Sequence, residues 1–146
     1  MDVRPADDQD RLAVVQLLKE SHASAGMPFR FQAARAEALF KSHISNPDYC
    51  CFVIGRPAVG TLMASCFDHP YGAGRMARET VWFVRPSSRG RAAIRMLDAY
   101  EKWAADRGCA LVGMAASPSK QAGALYERRG YSPVETHFMK ALRTTA

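Results

Sequence analysis

The chain has 146 residues, which is the length of a single domain and enough to bury a core without disulfides or a structural metal. Hydrophobic residues make up 48% and charged residues 23%, and no apolar run approaches the length of roughly 20 residues that crosses a bilayer. The net charge of +6 attracts polyanions, so a nucleic acid, an acidic protein or a phosphate-rich small molecule all remain open as partners. The acidic N-terminus lacks an apolar signal segment, so we expect one cytoplasmic domain (residues 1–146) without a membrane partner.

The four cysteines do not have metal-site spacing. Cys50 and Cys51 are adjacent and would point to opposite faces of a strand, while Cys66 and Cys109 stand alone. The four histidines form no close pair either. We therefore expect buried, unpaired thiols and no metal site.

The first third of the chain predicts one short strand and two helices. Asp7 is placed as a helix cap, with Asp10 three residues later as in a capping box. Apolar residues then recur at helical spacing in two segments separated by Ser24–Pro28. The predicted elements are a strand at Val3–Pro5, a helix from Asp7 to about His22 and a helix from about Gln32 to Ser45.

The middle of the chain predicts antiparallel strands. Three segments are rich in strand-forming residues, and Gly55–Ala58 reads as a hairpin turn between the first two. Pro86 must end the third, because proline has no N–H to donate to a strand partner. The predicted strands are Tyr49–Ile54, Val59–Phe67 and Ala77–Val84.

The last third returns to alternating helices and strands. A helix is predicted from Gly90, with Gly108 as its C-terminal cap. The following segments predict a strand at Cys109–Ala116, a helix from Ser117 to Arg129, and one or two strands between Tyr131 and Leu142. This order, β-α-α-β-β-β-α-β-α-β, predicts an α/β domain with a mixed sheet.

The strand, loop and helix around Gly90 have the properties of an anion site. A glycine at this junction lets the backbone approach a ligand closely, and the unpaired N–H groups of the first helical turn attract negative charge. Arg89 and Arg91 flank Gly90 and add charged donors. The pattern matches neither a Walker loop nor the three-glycine dinucleotide fingerprint. It predicts a site for a phosphate or pyrophosphate.

This segment resembles the acetyl-CoA motif of the GNAT family of N-acetyltransferases, Gln/Arg-x-x-Gly-x-Gly/Ala after a strand that ends in Val-x-Pro. Val84-Arg85-Pro86 supplies the strand end, and Gly90 and Ala92 match the motif. Ser87 replaces the usual Gln or Arg. A second GNAT signature, Asn-x-x-Ala-x-x-Leu-Tyr-x-x-x-Gly-Phe/Tyr, is matched from Ser119 to Tyr131, although Ser119 replaces its Asn.

The resemblance implies a mixed, mostly antiparallel central sheet flanked by helices, and transfer of an acetyl group from acetyl-CoA to an amine. It implies that Tyr126 protonates the leaving thiolate and that Glu79 relays the proton of the amine. No cysteine stands at an evident nucleophile position, which favours direct attack in a ternary complex. The residues implied in acetyl-CoA binding are Trp82, Phe83 and Val84 through their backbone, and Arg89, Gly90, Arg91, Ala92, Ala93, Ser119 and Tyr126.

The acceptor amine is not identified by the sequence. The family resemblance implies an acceptor site beside the loop between the first two helices, where Met27–Phe31 would supply an apolar wall with one cation. His22, His69 and His137 are further candidates for its lining. The family also implies a possible homodimer.

Two alternatives to an amine acetyltransferase remain open at this point. The chain could be a non-catalytic GNAT-fold module that acts through CoA, protein or nucleic-acid contacts, because a fold does not fix a function. It could also modify a nucleic acid or its bound proteins, which would require arginines grouped outside the cofactor cleft.

Overall fold

The structure is a computed structural model, and it describes residues 1–116 and 122–143. The strands are β1 (Val3–Pro5), β2 (Tyr49–Ile54), β3 (Gly60–Asp68), β4 (Arg75–Val84) and β5 (Cys109–Gly113). The α-helices are α1 (Arg11–Ala25), α2 (Ala33–Ser45), α3 (Arg91–Asp106) and α4 (Ala122–Arg128). Short 3₁₀ helices precede α1 (Asp8–Asp10) and α3 (Pro86–Ser88).

The strands form one mixed sheet in chain order, β1-β2-β3-β4-β5. The first three pairings are antiparallel, and β5 runs parallel to β4. The parallel pairing requires a crossover connection, which α3 supplies. The prediction of an α/β fold with a mixed, mostly antiparallel sheet is therefore confirmed.

Helix starts and ends follow the local signals in the sequence. The Asp7 side chain accepts the Gln9 N–H, and the Asp10 side chain accepts the Asp7 N–H at 2.9 Å, which completes the predicted capping box. Gly26 ends α1 with φ of 66°, and Gly108 follows α3 with φ of 79°, a region that favours glycine. The caps fix where the chain leaves each helix.

The sheet has a hydrophobic core on each face. One core lies under α1 and α2, and its fully buried members include Val14, Leu17, Phe40, Val53 and Met63. The other lies under α3 and α4, and its fully buried members include Ile54, Leu62, Met96, Leu97 and Tyr100. The molecule is thus a three-layer arrangement with helices on both sides of the sheet.

Two sequence predictions about the last third are wrong. β5 ends at Gly113 rather than Ala116, and the described residues between Tyr131 and Leu142 form no strand. Apolar side chains such as Val134 and Phe138 are about nine-tenths exposed (89% and 90%). Strand propensity depends on a neighbouring surface to pack against, and this segment has none in the described structure.

The described part of the chain contains no helix with the length and apolar character that a bilayer crossing requires.

Candidate active site

The site begins where two neighbouring strands separate. β5 pairs only with Arg75–Arg78, the first residues of β4. β4 continues through Glu79–Val84 and pairs there with β3 on its other edge. The described residues place no strand beside that second half of β4 on the β5 side, so its outward N–H and C=O groups face a gap. An extended ligand could bind there as an added strand.

A β-bulge lies at the start of this gap. Glu79 and Val81 oppose consecutive residues of β3, which leaves Thr80 as the extra residue. The Thr80 hydroxyl lies 2.8 Å from His43 Nε2, and His43 Nδ1 donates to the Leu39 carbonyl at 2.8 Å. Burial lowers the pKa of His43 and keeps it neutral, so Nε2 accepts the hydroxyl proton. Thr80 and Val81 therefore face α2, while Glu79 faces the opposite side of the sheet.

The side chains of Glu79 and Tyr126 both bind the backbone of Ala115, two residues after the end of β5. The Ala115 N–H donates to Glu79 Oε1 at 2.6 Å, and the Tyr126 hydroxyl donates to the Ala115 carbonyl at 2.9 Å. The two residues lie 47 positions apart in the chain, so the fold alone brings them together. The structure thus places the two catalytic candidates of the sequence analysis on one residue beside the gap.

Burial changes the protonation of both side chains. It raises the pKa of Glu79 from 4.5 to about 7, and the Ala115 hydrogen bond offsets part of that rise. Burial, with the charge of Glu79, also raises the pKa of Tyr126 above its usual value. Near neutral pH, Glu79 can therefore accept a proton while Tyr126 keeps its own. This is the pairing that general acid–base chemistry requires.

Aromatic rings fix the position of Tyr126. Its ring centroid lies 5.5 Å from that of Tyr131 and 6.2 Å from that of Trp82, distances typical of interacting aromatic rings. The Tyr131 hydroxyl donates to Glu101 Oε2 at 2.9 Å. The Trp82 side chain is half-buried and packs against the α3 core.

The predicted anion site lies at the first turn of α3. The backbone N–H groups of Arg91, Ala92 and Ala93 have no hydrogen-bond acceptor in the described parts of the chain. A Cβ placed on Gly90 would meet no atom within 4 Å, so the backbone faces open space there. This geometry fits a phosphate or pyrophosphate group.

The arginines near this turn are arranged differently from one another. Arg89 Nε donates to the Val84 carbonyl at 2.7 Å, and its guanidinium lies 5.9 Å from the Phe83 ring centroid. Arg85 makes two hydrogen bonds to Glu20, at 2.9 and 3.0 Å. Arg91 is exposed. Arg89 thus keeps only its terminal nitrogens for a ligand, and Arg85 ties the end of β4 to α1.

A groove with a cavity volume of about 760 Å³ lies between α1, α2 and β4. Of the loop that the sequence analysis predicted to line an acceptor site, Phe29, Arg30 and Phe31 line this groove, whereas Met27 and Pro28 do not. Gln32 and Arg35 of the α2 start and Val81 of the bulge also line it. The sequence analysis missed these three, although Gln32 and Arg35 follow the loop directly.

Of the three histidines that were predicted as candidates for the acceptor site, only one lines the groove. His22 lines the groove, and its Nε2 lies 2.6 Å from the Phe29 carbonyl. His69 stacks edge-on against Tyr71 in the β3–β4 loop, and His137 is exposed beside Glu135; neither lines the groove. Ser119 lies outside the described residues.

Two of the cysteines, Cys50 and Cys51, are poor nucleophiles. All four are free thiols; Cys50, Cys51 and Cys66 are buried and Cys109 is half-buried. Burial raises the pKa of both Cys50 and Cys51 to about 12, so neither forms a thiolate at neutral pH. Within residues 1–116 and 122–143, the two catalytic candidates that lie beside the gap are Glu79 and Tyr126.

Solved structures with this fold include acetyltransferases. A predicted acetyltransferase from Clostridium acetobutylicum, solved with acetyl-CoA, superposes with a TM-score of 0.78 at 20% identity, over 97% of this chain and 96% of that one. An integron cassette protein from the Cole Harbour salt marsh metagenome gives 0.78 at 23% identity, over 97% and 91%. An aminoglycoside 6'-N-acetyltransferase from Acinetobacter haemolyticus gives 0.74 at 15% identity, over 98% and 100%.

Sequence comparison gives a family but no individual relative. No curated protein matches the chain. The model of the acetyltransferase (GNAT) family matches residues 13–131, which is most of the length of this chain. The matched region contains the separated strands, the anion site and Tyr126. The chain therefore belongs to the GNAT acetyltransferase family.

Proposed function

We propose that this protein is an N-acetyltransferase that transfers the acetyl group of acetyl-CoA to an amine by direct attack in a ternary complex. The observation that carries the proposal is the meeting of Glu79 and Tyr126 at Ala115, beside the open edge of β4. One group accepts a proton and the other donates one, which amine acetylation from a thioester requires. The high pKa values of Cys50 and Cys51 disfavour a covalent acetyl-cysteine route.

The gap and the α3 turn suit the parts of acetyl-CoA. The backbone groups of Trp82 and Val84 would pair with the amide groups of the pantetheine arm on the open edge of β4, once Arg89 Nε releases the Val84 carbonyl. Phe83 lies between them, and its N–H and C=O are directed at Thr61 of β3. The free N–H groups of Arg91, Ala92 and Ala93, beside Gly90, would hold the pyrophosphate. Acetyl-CoA supplies the acetyl group as an activated thioester.

Two side chains would move protons at defined atoms. Glu79 Oε accepts, through water, the proton that the amine must lose before its nitrogen can attack. The Tyr126 hydroxyl, which can rotate away from the Ala115 carbonyl, donates a proton to the departing sulfur. An N–H group on the open edge of β4 would stabilise the oxyanion that develops on the acetyl oxygen. The free thiols are consistent with a cytoplasmic location.

The test is calorimetric titration of acetyl-CoA into the wild type and a Gly90→Glu variant. The new carboxylate would project into the open space at Gly90 and repel the pyrophosphate. We expect saturable binding by the wild type and at least about a tenfold loss in the variant. Gly74→Glu is the matched control, because a Cβ at Gly74 also meets no atom within 4 Å but lies in the β3–β4 loop.

The absence of binding by the wild type would overturn the acetyltransferase proposal and favour a module that acts through protein or nucleic-acid contacts. Equal losses in Gly90→Glu and Gly74→Glu would instead show that added negative charge, and not its position at α3, weakens binding.

A further inference from the structure

The groove between α1, α2 and β4 carries information about the acceptor amine that the proposed function leaves open. Its walls are mainly apolar, with Leu18, Phe29, Phe31, Leu39 and Val81 among the lining residues. Phe29 is 61% exposed, an unusual state for a large aromatic side chain and typical of binding surfaces. The volume of about 760 Å³ lies in the range of small-molecule sites, which is about 300–1,000 Å³.

The charged residues of the groove all have one sign. Arg30 and Arg35 line it, and no aspartate or glutamate does. Arg30 has no hydrogen bond or ion pair within the described residues. Arg35 uses only its Nε, which donates to Gln32 Oε1 at 2.8 Å, and its terminal nitrogens stay available. The groove therefore offers guanidinium groups that suit a carboxylate.

The carboxylates of the adjoining helices are already paired. Glu20, the acidic residue of α1, accepts hydrogen bonds from Arg85 at 2.9 and 3.0 Å. Glu37, the acidic residue of α2, lies 3.5 Å from Arg11 and 3.4 Å from Lys41. Neither helix thus presents a free carboxylate to a positively charged ligand. A polycationic amine would enter a site that repels it.

We infer that the acceptor is a small amine that carries both a carboxylate and an aromatic or large aliphatic group. This inference rests on the proposed function, because the groove is its acceptor site. The apolar group packs against Phe29 and Phe31, and the carboxylate binds Arg30 and Arg35. Val81, which follows the bulge in β4, lines the groove, and in this inference the amine approaches the thioester from the α2 side of β4. Polyamines and aminoglycosides are poor acceptors.

The reaction is the same for every such amine. The nitrogen forms a bond to the acetyl carbon, the carbon–sulfur bond breaks, the amine proton leaves through Glu79, and the sulfur takes a proton from Tyr126. Only the recognition of the rest of the acceptor differs. Matched pairs of amines with and without a carboxylate therefore measure recognition of the carboxylate separately from the acetyl-transfer step.

The experiment measures kcat/KM for CoA release with pairs that differ by one carboxylate. Phenylalanine is compared with 2-phenylethylamine, tryptophan with tryptamine, and 4-(aminomethyl)benzoate with benzylamine; spermidine and kanamycin represent polycations. The first two pairs place the carboxylate beside the amine and the third places it across a ring. We expect a preference of at least about tenfold for the carboxylate in one of these geometries, from a charge-assisted hydrogen bond.

A charge-reversed variant assigns the preference to the groove. Arg30→Glu combined with Arg35→Glu should abolish the preference for the carboxylate and raise kcat/KM for spermidine. Lys19→Glu combined with Lys140→Glu changes the net charge equally at exposed lysines outside the groove, and it should keep the wild-type preference. Melting temperatures of both variants confirm that they are folded.

Several results would overturn the inference while leaving the proposed function intact. These are equal or better turnover of the amine without the carboxylate, better turnover of spermidine or kanamycin, a preference unchanged by the arginine substitutions, or rejection of the whole panel by a protein that binds acetyl-CoA. Failure to bind acetyl-CoA would overturn the proposed function itself, and the inference with it.

Discussion

Two tyrosines hold the chain at and beyond the end of β5, and they differ in where their hydroxyl groups lie. The Tyr100 hydroxyl donates to the Gly113 carbonyl at 2.8 Å, and the Tyr126 hydroxyl donates to the Ala115 carbonyl at 2.9 Å. Tyr100 is completely buried under α3, whereas Tyr126 is 7% exposed beside the gap. They therefore make comparable structural contacts, and the proposed function assigns the protonation of the thiolate to Tyr126, which lies beside the gap.

We predict that Tyr126→Phe lowers kcat by about 10²-fold or more, the lower end of the usual contribution of a general acid. Acetyl-CoA affinity should change little, because the ring contacts with Trp82 and Tyr131 remain. Steady-state kinetics and calorimetry measure the two quantities.

Tyr100→Phe is the matched control for this experiment. It also leaves a carbonyl without its tyrosine donor, so both variants should lose about 1 kcal/mol of unfolding free energy. An equal loss of kcat in the two variants would contradict the acid role of Tyr126 and assign the effect to movement of β5.

Under the proposed function, Glu79 should give acetyl transfer a pH dependence near neutrality. Its pKa is raised to about 7, so kcat/KM should fall below pH 7, by about tenfold per pH unit, as the carboxylate becomes protonated. Glu79→Gln should remove this inflection and lower the rate at pH 8. A wild-type inflection near pH 7 that persists in Glu79→Gln would mean that another group is the base.

The raised pKa of Glu79 also makes the stability of the fold depend on pH, in the direction opposite to the rate. Between its usual 4.5 and about 7, Glu79 is protonated in the folded chain and ionised in the unfolded chain, so it contributes stability at low pH that is lost as the pH rises through 7. Denaturant unfolding of the wild type and Glu79→Gln at pH 4 and pH 8 should therefore show the variant relatively more stable at pH 8.

At the scale of elements, the end of the β3–β4 pair determines where the anion site lies. Gly60 at the start of β3 opposes Val84 at the end of β4, and the Arg85 N–H donates to the Val59 carbonyl at 3.0 Å. Pro86 then turns the chain toward α3. The position of the free N–H groups in α3 thus depends on close packing at Gly60.

We predict that Gly60→Ala destabilises the protein by about 1–3 kcal/mol, because an added Cβ would lie 2.9 Å from a Val84 methyl group and 3.1 Å from Ile54. β-Branched Val84 cannot easily rotate away. Gly74→Ala, with no atom within 4 Å of its Cβ, is the control and should be nearly neutral. Thermal unfolding measures both; equal melting temperatures would contradict tight packing at this strand end.

At the scale of the whole molecule, the sheet separates two cores that can be perturbed independently. Leu17 of α1 is fully buried in one and Leu97 of α3 is fully buried in the other. The acceptor groove adjoins the first core, and Tyr126 packs in the second. The acceptor site and the proton donor that we propose therefore lie in opposite layers of the molecule.

We predict that Leu17→Ala and Leu97→Ala each cost about 2–5 kcal/mol of unfolding free energy, from lost burial and the cavity left behind. Because the two sites share no contact, the double variant should be additive to within about 0.5 kcal/mol. Denaturant unfolding tests this. A coupling energy well above 0.5 kcal/mol would show that the layers are energetically linked through the sheet.

Much of the fold could be predicted because its signals are local. The cap at Asp7, the strand at Tyr49–Ile54 and the apolar face of α3 each follow from residue spacing within one element. The errors lie at the end of β5 and after Tyr131. There the outcome depended on whether a partner surface exists, and spacing within a segment does not contain that information.

The sequence by itself determined the order of elements as far as α4, the turn at Gly90 that we predict to bind an anion, and the two motifs that mark the family. Only the tertiary structure decided that Glu79 and Tyr126 meet at Ala115, and that Arg30, Arg35 and Val81 line one groove. The physical reason is range. Helix periodicity and turn chemistry act over a few residues, whereas these contacts depend on strand register, on the bulge at Thr80 and on the separation of β4 from β5.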